Sequence, residues 1–132
     1  MVVMHIISWN VRGLGGFEKR REVSHMVREK NPFILCLQES KLYVVNDLVS
    51  KAIWNDNNVD FSYKPSCGAS GGLITLWNRN EVKVWSSFNM EHVLGIQGQF
   101  VKTGKMGVIH PSTSSLMARI SCGSVLGDAT TS

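Results

Sequence analysis

Apolar residues recur along the chain with two different periods, and the change between them divides it. From Val2 to Val11, Val3, Met4, Ile6, Ile7 and Trp9 make an almost continuous apolar run. That pattern predicts a strand buried on both faces. Arg12-Gly13-Leu14-Gly15-Gly16 breaks it, because glycine punctuates regular structure. Phe17 to Lys30 predicts a helix. Val23, Met26 and Val27 recur at i, i+3 and i+4, and Glu18, Lys19, Arg20, Arg21, Arg28 and Glu29 fill the remaining positions. Asn31-Pro32 ends it, since the residue before proline avoids helical backbone. Phe33 to Gln38 is a second apolar strand with Glu39 at its end. Strand, helix, strand in this order predicts a βαβ unit with a parallel pair.

Asn46 to Trp54 predicts a shorter helix with Leu48, Val49, Ala52 and Ile53 inward, and Asn55-Asp56-Asn57-Asn58 is a turn cluster. The period then becomes two. Phe61-Ser62-Tyr63, Leu73 to Trp77, Val82 to Trp85 and His92 to Val101 read as short antiparallel strands. The expectation is an α/β fold with a two-layered sheet core and helices outside. Near residue 103 the composition shifts. Ser112-Thr113-Ser114-Ser115 and Gly123 to Ser132 are rich in serine, threonine and glycine, and the apolar residues there follow neither period. The chain therefore divides into 1–102 and a tail at 103–132, expected to be a loop or disordered segment.

Composition narrows the class. Apolar residues make up 43% and charged residues 18%, which is the balance of a globular core. The formal charge of +4 permits nucleic-acid binding without establishing it. Three cysteines, Cys36, Cys67 and Cys122, with no C-x-x-C spacing argue against a disulfide framework or a zinc knuckle and suit an intracellular, reducing compartment. Whether that is nucleus or cytoplasm stays open. No apolar run is long enough to span a bilayer, and Met1 to His5 does not read as a signal peptide. His5, His25, His92 and His110 carry no recognisable motif. Trp54, Trp77 and Trp85 read as core.

Two polar positions stand at the ends of buried strands: Asn10 after Ile6-Ile7-Ser8-Trp9, and Glu39 after Leu35-Cys36-Leu37-Gln38. In α/β sheets the carboxyl ends of neighbouring strands gather functional groups. A carboxylate there suits a hard cation such as Mg²⁺, and an amide beside it can serve a metal-bound water or a phosphate oxygen. By spacing alone, one Glu and one Asn at strand ends are more often turn caps or surface residues.

The local wording adds a resemblance. Ile7-Ser8-Trp9-Asn10-Val11-Arg12-Gly13-Leu14 resembles the opening motif of the endonuclease/exonuclease/phosphatase family. Leu35-Cys36-Leu37-Gln38-Glu39-Ser40-Lys41 resembles its second motif, one helix later. Gly68-Ala69-Ser70-Gly71-Gly72-Leu73 is similar to its third stretch. Trp9 to Leu14 and Asn31-Pro32-Phe33-Ile34 are most similar to the endonuclease domain of non-LTR (LINE-type) retrotransposon polyproteins. The resemblance implies a four-layer α/β sandwich, two sheets with outer helices. It implies Mg²⁺-dependent (or Mn²⁺-dependent) phosphodiester hydrolysis on DNA. Glu39 would bind the metal, with Asn10 holding metal or phosphate, and these two would be the catalytic residues present. Arg12, Arg20, Arg21 and Lys41 are candidates for nucleic-acid contact, with plain surface charge the competing reading for Arg12 and Lys41. No membrane and no small-molecule cofactor is implied.

The resemblance covers residues 4 to 102. The family's later Asn-x-Tyr-x-Pro, Gly-Asp-x-Asn and Ser-Asp-His motifs do not follow. Leu126-Gly127-Asp128-Ala129 is similar to the second of these without its Asn, and His110 precedes Pro111 rather than following Ser-Asp. The expectation is thus a partial sandwich lacking its C-terminal half, with an unpartnered inner face prone to association, weak metal binding and hydrolysis near background. Two further readings stay open. One is a non-catalytic nucleic-acid-binding or interaction module that uses the basic first helix. The other is a remnant with no retained function.

Overall fold

The computed structural model describes residues 5–54, 56–67, 71–90, 93–102, 104, 106–109, 120–121 and 128–131. The first strand is β1 (His5–Asn10), followed by α1 (Phe17–Lys30) and β2 (Ile34–Gln38). β1 and β2 pair in parallel, from Ile6 opposite Ile34 to Asn10 opposite Gln38. The predicted βαβ unit is therefore present. Helix α1 stops because Asn31 turns to a left-handed φ of 48° and donates its N–H to the Val27 carbonyl oxygen at 2.8 Å. Asparagine tolerates that backbone better than other non-glycine residues, and Pro32 prevents the helix from resuming.

Next comes α2 (Asp47–Trp54). Its start is set by Asn46, whose side-chain oxygen accepts from the Val49 N–H at 3.1 Å and caps the first turn. The buried face of α2 carries Ser50, Ile53 and Trp54. Leu48 and Ala52, expected inward, are exposed. The capped helix enters with Val49 and Ile53 toward the core, which turns Leu48 and Ala52 to the opposite side.

Strands β3 (Val59–Lys64) and β4 (Leu73–Asn78) complete one side of the first sheet. Its order is β3-β4-β2-β1-β9, where β9 (Asp128–Thr131) pairs in parallel with β1. The second sheet runs β5 (Val82–Met90), β6 (Val93–Phe100), β7 (Met106–Ile109) and β8 (Ile120–Ser121), in that order. Strands β7, β8 and β9 all lie in the stretch expected to be a loop. Their backbones find partners across the sheets, and pairing of this kind leaves no local signal in segments of two to four residues. β5 also runs five residues beyond Trp85, and its ladder with β6 shifts register between Val84 and Ser86. That bulge leaves Trp85 48% exposed, not in the core.

The first sheet has two packed faces. On one, Ile7, Leu35, Leu37, Ile74 and Leu76 meet Val23 and Val27 of α1 and Ile53 and Trp54 of α2. On the other, Ile6, Ile34, Cys36 and Trp77 meet Val82, Ile96 and Phe100 of the second sheet. The described residues thus form three layers: helices, sheet, sheet. The inner face expected to be unpartnered is covered by β5 and β6. Burial pushes the Cys36 thiol up to about 12, and the neighbouring Thr75 hydroxyl only partly opposes it. Cys67 is exposed.

Three outcomes are expected. Leu35→Ala should lower stability in urea unfolding by about 2–5 kcal/mol, whereas Leu48→Ala should stay within about 0.5 kcal/mol of the parent. In the native protein at pH 8, iodoacetamide should alkylate Cys67 while Cys36 stays unmodified until the chain is unfolded, as peptide mass spectrometry would read. A neutral folded-state thiol also means that Cys36 costs nothing below its ordinary pKa. Its burial should erode stability only as pH rises above about 9.

Candidate metal and phosphate site at the strand ends

Parallel strands deliver their carboxyl ends to one edge, and β1 and β2 deliver Asn10 and Glu39 there. The two side chains meet: Asn10 Nδ2 donates to Glu39 Oε2. Asn10 Oδ1 accepts from the Arg12 backbone N–H at 3.2 Å, which fixes which end of the side-chain amide faces the carboxylate. Asn10 and Glu39 are each half-buried, so the carboxylate keeps access to solvent and to a ligand.

The backbone around them is held in uncommon conformations. Arg12, Glu39 and Lys41 have φ of 55°, 52° and 58°, three of the four non-glycine residues with positive φ among the described residues. Left-handed backbone costs a side-chain-bearing residue about 1–2 kcal/mol, so something must hold these three in place. Hydrogen bonds between the loops do so. Gly13 N–H donates to the Glu39 carbonyl oxygen at 2.7 Å and Leu14 N–H to that of Ser40 at 2.8 Å. Ser40 and Lys41 N–H groups donate to the carbonyl oxygens of Gly72 and Gly71 at 3.1 and 2.9 Å. Arg20 Nε donates to the Leu14 carbonyl oxygen at 2.7 Å and ties α1 to the same loop. Gly72 has φ 93°, and a Cβ there would run into Ser40 Oγ and crowd the Lys41 backbone.

Beneath the site the inter-sheet face turns polar. Gln38 is fully buried and donates from Nε2 to Ser8 Oγ, while its Oε1 has no partner among the described residues. Sequence reasoning did not single out Ser8, Gln38, Ser40 or Gly72 as site residues. Polar residues interrupting an apolar strand at positions 8 and 38 were the available signal.

The predicted residues separate into groups. Asn10 and Glu39 come together. Arg12 and Lys41 are exposed on the two loops that flank them, and a Cβ at Gly13 would lie 3.4 Å from Lys41 Cδ. Arg20 is half-buried and used in the structural bond to Leu14. Arg21 is exposed and lines a shallow groove on α1 with Glu18, Glu22, His25 and Arg28. His110 lies outside the described residues, as does the side chain of Asp128.

The donor set can be weighed against a metal. No group of three or more His, Cys, Asp or Glu side chains placed to hold an ion occurs among the described residues. One carboxylate braced by an amide does not make a protein cage, and it does not suit zinc. It does suit a hard divalent cation that keeps most of its waters.

The family model of the endonuclease/exonuclease/phosphatase family matches residues 7–114. The chain belongs to this family. The match runs past 102 and takes in β7, so the family stretch does not end where the composition shifts. Solved structures of the same fold include the AP endonuclease LMAP of Leishmania major, at 19% identity and a TM-score of 0.60, covering 81% of this chain and 39% of that one. Another is TDP2 of D. rerio complexed with a single-strand DNA product, at 20% identity and a TM-score of 0.56, covering 80% and 43%. A third is the APE2 catalytic domain of Xenopus laevis, at 15% identity and a TM-score of 0.53, covering 80% and 42%. The chain spans about two fifths of the length of these proteins. No curated protein matches the sequence.

Gly72→Ala should destabilise the family fold by about 2 kcal/mol or more in urea unfolding, because positive φ and the collision with Ser40 act together. A change below about 0.5 kcal/mol would mean that the loop beneath Glu39 is not held as described.

Proposed function

We propose that this chain carries the metal- and phosphate-binding side of a DNA phosphodiesterase site, and that by itself it binds rather than hydrolyses. The observation that carries the reading is the Asn10–Glu39 side-chain hydrogen bond at the ends of two parallel strands. Membership of the family supports it, and so does the single-strand DNA product held by the structurally similar TDP2.

Glu39 would hold a hydrated Mg²⁺ or Mn²⁺, which when bound offsets charge on a phosphoryl oxygen and acidifies a water. Asn10 orients the carboxylate through Nδ2. Arg12 and Lys41, exposed on either side, supply positive charge for the flanking phosphates. Hydrolysis further needs a base and a second anchoring group in the same pocket. The sequence resemblance assigns neither to this chain. Removing one member of such a unit can cost about 10⁴ to 10⁶ in rate, so the site residues present here leave turnover near background. The phrases Trp9 to Leu14 and Asn31 to Ile34 support descent from the endonuclease domain of a non-LTR retrotransposon.

Calorimetric titration should show weak Mn²⁺ binding that Glu39→Gln abolishes; equal binding by the variant would remove Glu39 as ligand. Neither protein should nick supercoiled plasmid above a no-protein control. Nicking by the parent that disappears in Glu39→Gln would overturn the non-hydrolytic part of the proposal.

Binding to duplex DNA should weaken steeply with salt. Arg21→Ala should lower the slope of log affinity against log salt by about one unit, the share of one phosphate contact. Arg20→Ala should instead lower stability, because Arg20 holds the Leu14 carbonyl. An unchanged slope in Arg21→Ala would take the α1 surface out of the interface.

A further inference from the structure

The two loops that carry Asn10 and Glu39 each lead directly to an aromatic ring in water. Phe17, the first residue of α1, is 76% exposed, and Tyr43, two residues beyond Lys41, is 73% exposed. Among the described residues only Leu48 is a more exposed large apolar side chain. A folded chain ordinarily covers rings of this size, since burying one is worth about 1.5–3 kcal/mol. Both belong to segments that are otherwise well fixed. Phe17 follows a loop held by the Gly13, Leu14 and Arg20 hydrogen bonds. Tyr43 follows Leu42, whose carbonyl oxygen accepts from Ser66 N–H at 2.9 Å and whose own N–H donates to Ser40 Oγ at 3.3 Å. Both rings thus stand on segments that continue from the hydrogen-bonded loops after Asn10 and Glu39. The same two loops carry the exposed cations Arg12 and Lys41.

Exposed aromatic rings interleaved along the chain with cations, on the segments that follow the proposed phosphate-binding pair, suit one class of ligand. Unpaired bases stack on aromatic faces, while cations follow the backbone. Bases in a duplex are already stacked and present only their edges and phosphates. We propose that Phe17 and Tyr43 form a stacking rim that makes this site select single-stranded nucleic acid, or an unpaired end, over duplex. The proposal rests on the phosphate-binding reading above and adds the substrate class to it.

The test uses the full chain in EDTA, with fluorescence anisotropy on three labelled strands of equal length: oligo-dT, a mixed-sequence duplex, and an abasic strand with the same number of phosphates. Oligo-dT should bind more tightly than either of the others. Phe17→Ala/Tyr43→Ala should weaken oligo-dT binding roughly five- to a hundredfold, the usual effect of removing stacked bases, to the level of the abasic strand. Duplex and abasic binding, and the salt slope, should not change. Phe17→Trp/Tyr43→Phe should restore oligo-dT binding. Both positions are exposed, so these variants should unfold at the parent temperature.

An unchanged affinity for oligo-dT in the alanine variant, or an equal loss on all three ligands, would overturn the stacking rim while leaving phosphate binding in place. Loss of a dimer in sedimentation velocity, with DNA binding intact, would assign the rings to a second copy of the chain and also overturn it. Failure of the parent to bind any of the three at low salt would remove the phosphate-binding reading, and the rim with it.

Discussion

Parallel β-strands end at the same edge of a sheet, and their hydrogen bonds fix which residues stand side by side there. In this chain the pairing of β1 with β2 places Asn10 opposite Gln38, one residue short of Glu39. A slip of β1 by one residue would turn Ile7 away from the helices and separate the amide from the carboxylate. The two faces of the sheet prevent that slip. Helices α1 and α2 need the odd-numbered residues of both strands, and the second sheet needs Ile6, Ile34 and Cys36. The site is therefore a consequence of core packing, and the loop hydrogen bonds around Gly13, Ser40 and Gly72 complete it.

Much of that core could be read from the residues. The βαβ unit, both helices, the strand-end positions of Asn10 and Glu39 and the family emerge from local pattern and wording, because apolar period and strand-end polarity are local properties. What escaped was set by partners far along the chain or by a cap. Leu48 has the right spacing for an inward residue, but the Asn46 cap sets which turn of α2 faces the sheet. Trp85 sits in an alternating strand, but a bulge against β6 turns it to solvent. Met106–Ile109 has no period of its own and becomes a strand only because β6 lies beside it. Ser8 and Gln38 each interrupt an apolar strand, and their bond is visible only once the two strands are side by side.

Charge followed a similar rule. Arg20 and Arg21 are neighbours in sequence and equal on any charge count, yet one anchors a carbonyl of the site loop and the other faces solvent. A helix turns about 100° per residue, so adjacent cations must take different surroundings. The basic character of α1 is thus split between holding the site together and presenting charge outside it.

The bulge in β5 also bears on how the molecule behaves at high concentration. Among the described residues β5 is the outer strand of its sheet, nine residues long, and carries Trp85 and Phe88. A straight edge of that length would offer a stranger's backbone a continuous ladder of free amides, the usual seed of sheet-to-sheet polymerisation. The register shift between Val84 and Ser86 breaks that ladder into pieces of three and five residues and twists them out of line with each other. One extra residue thereby works as a built-in guard on colloidal stability, and straightening it by deleting Trp85 would give the second sheet an edge on which fibrils could grow.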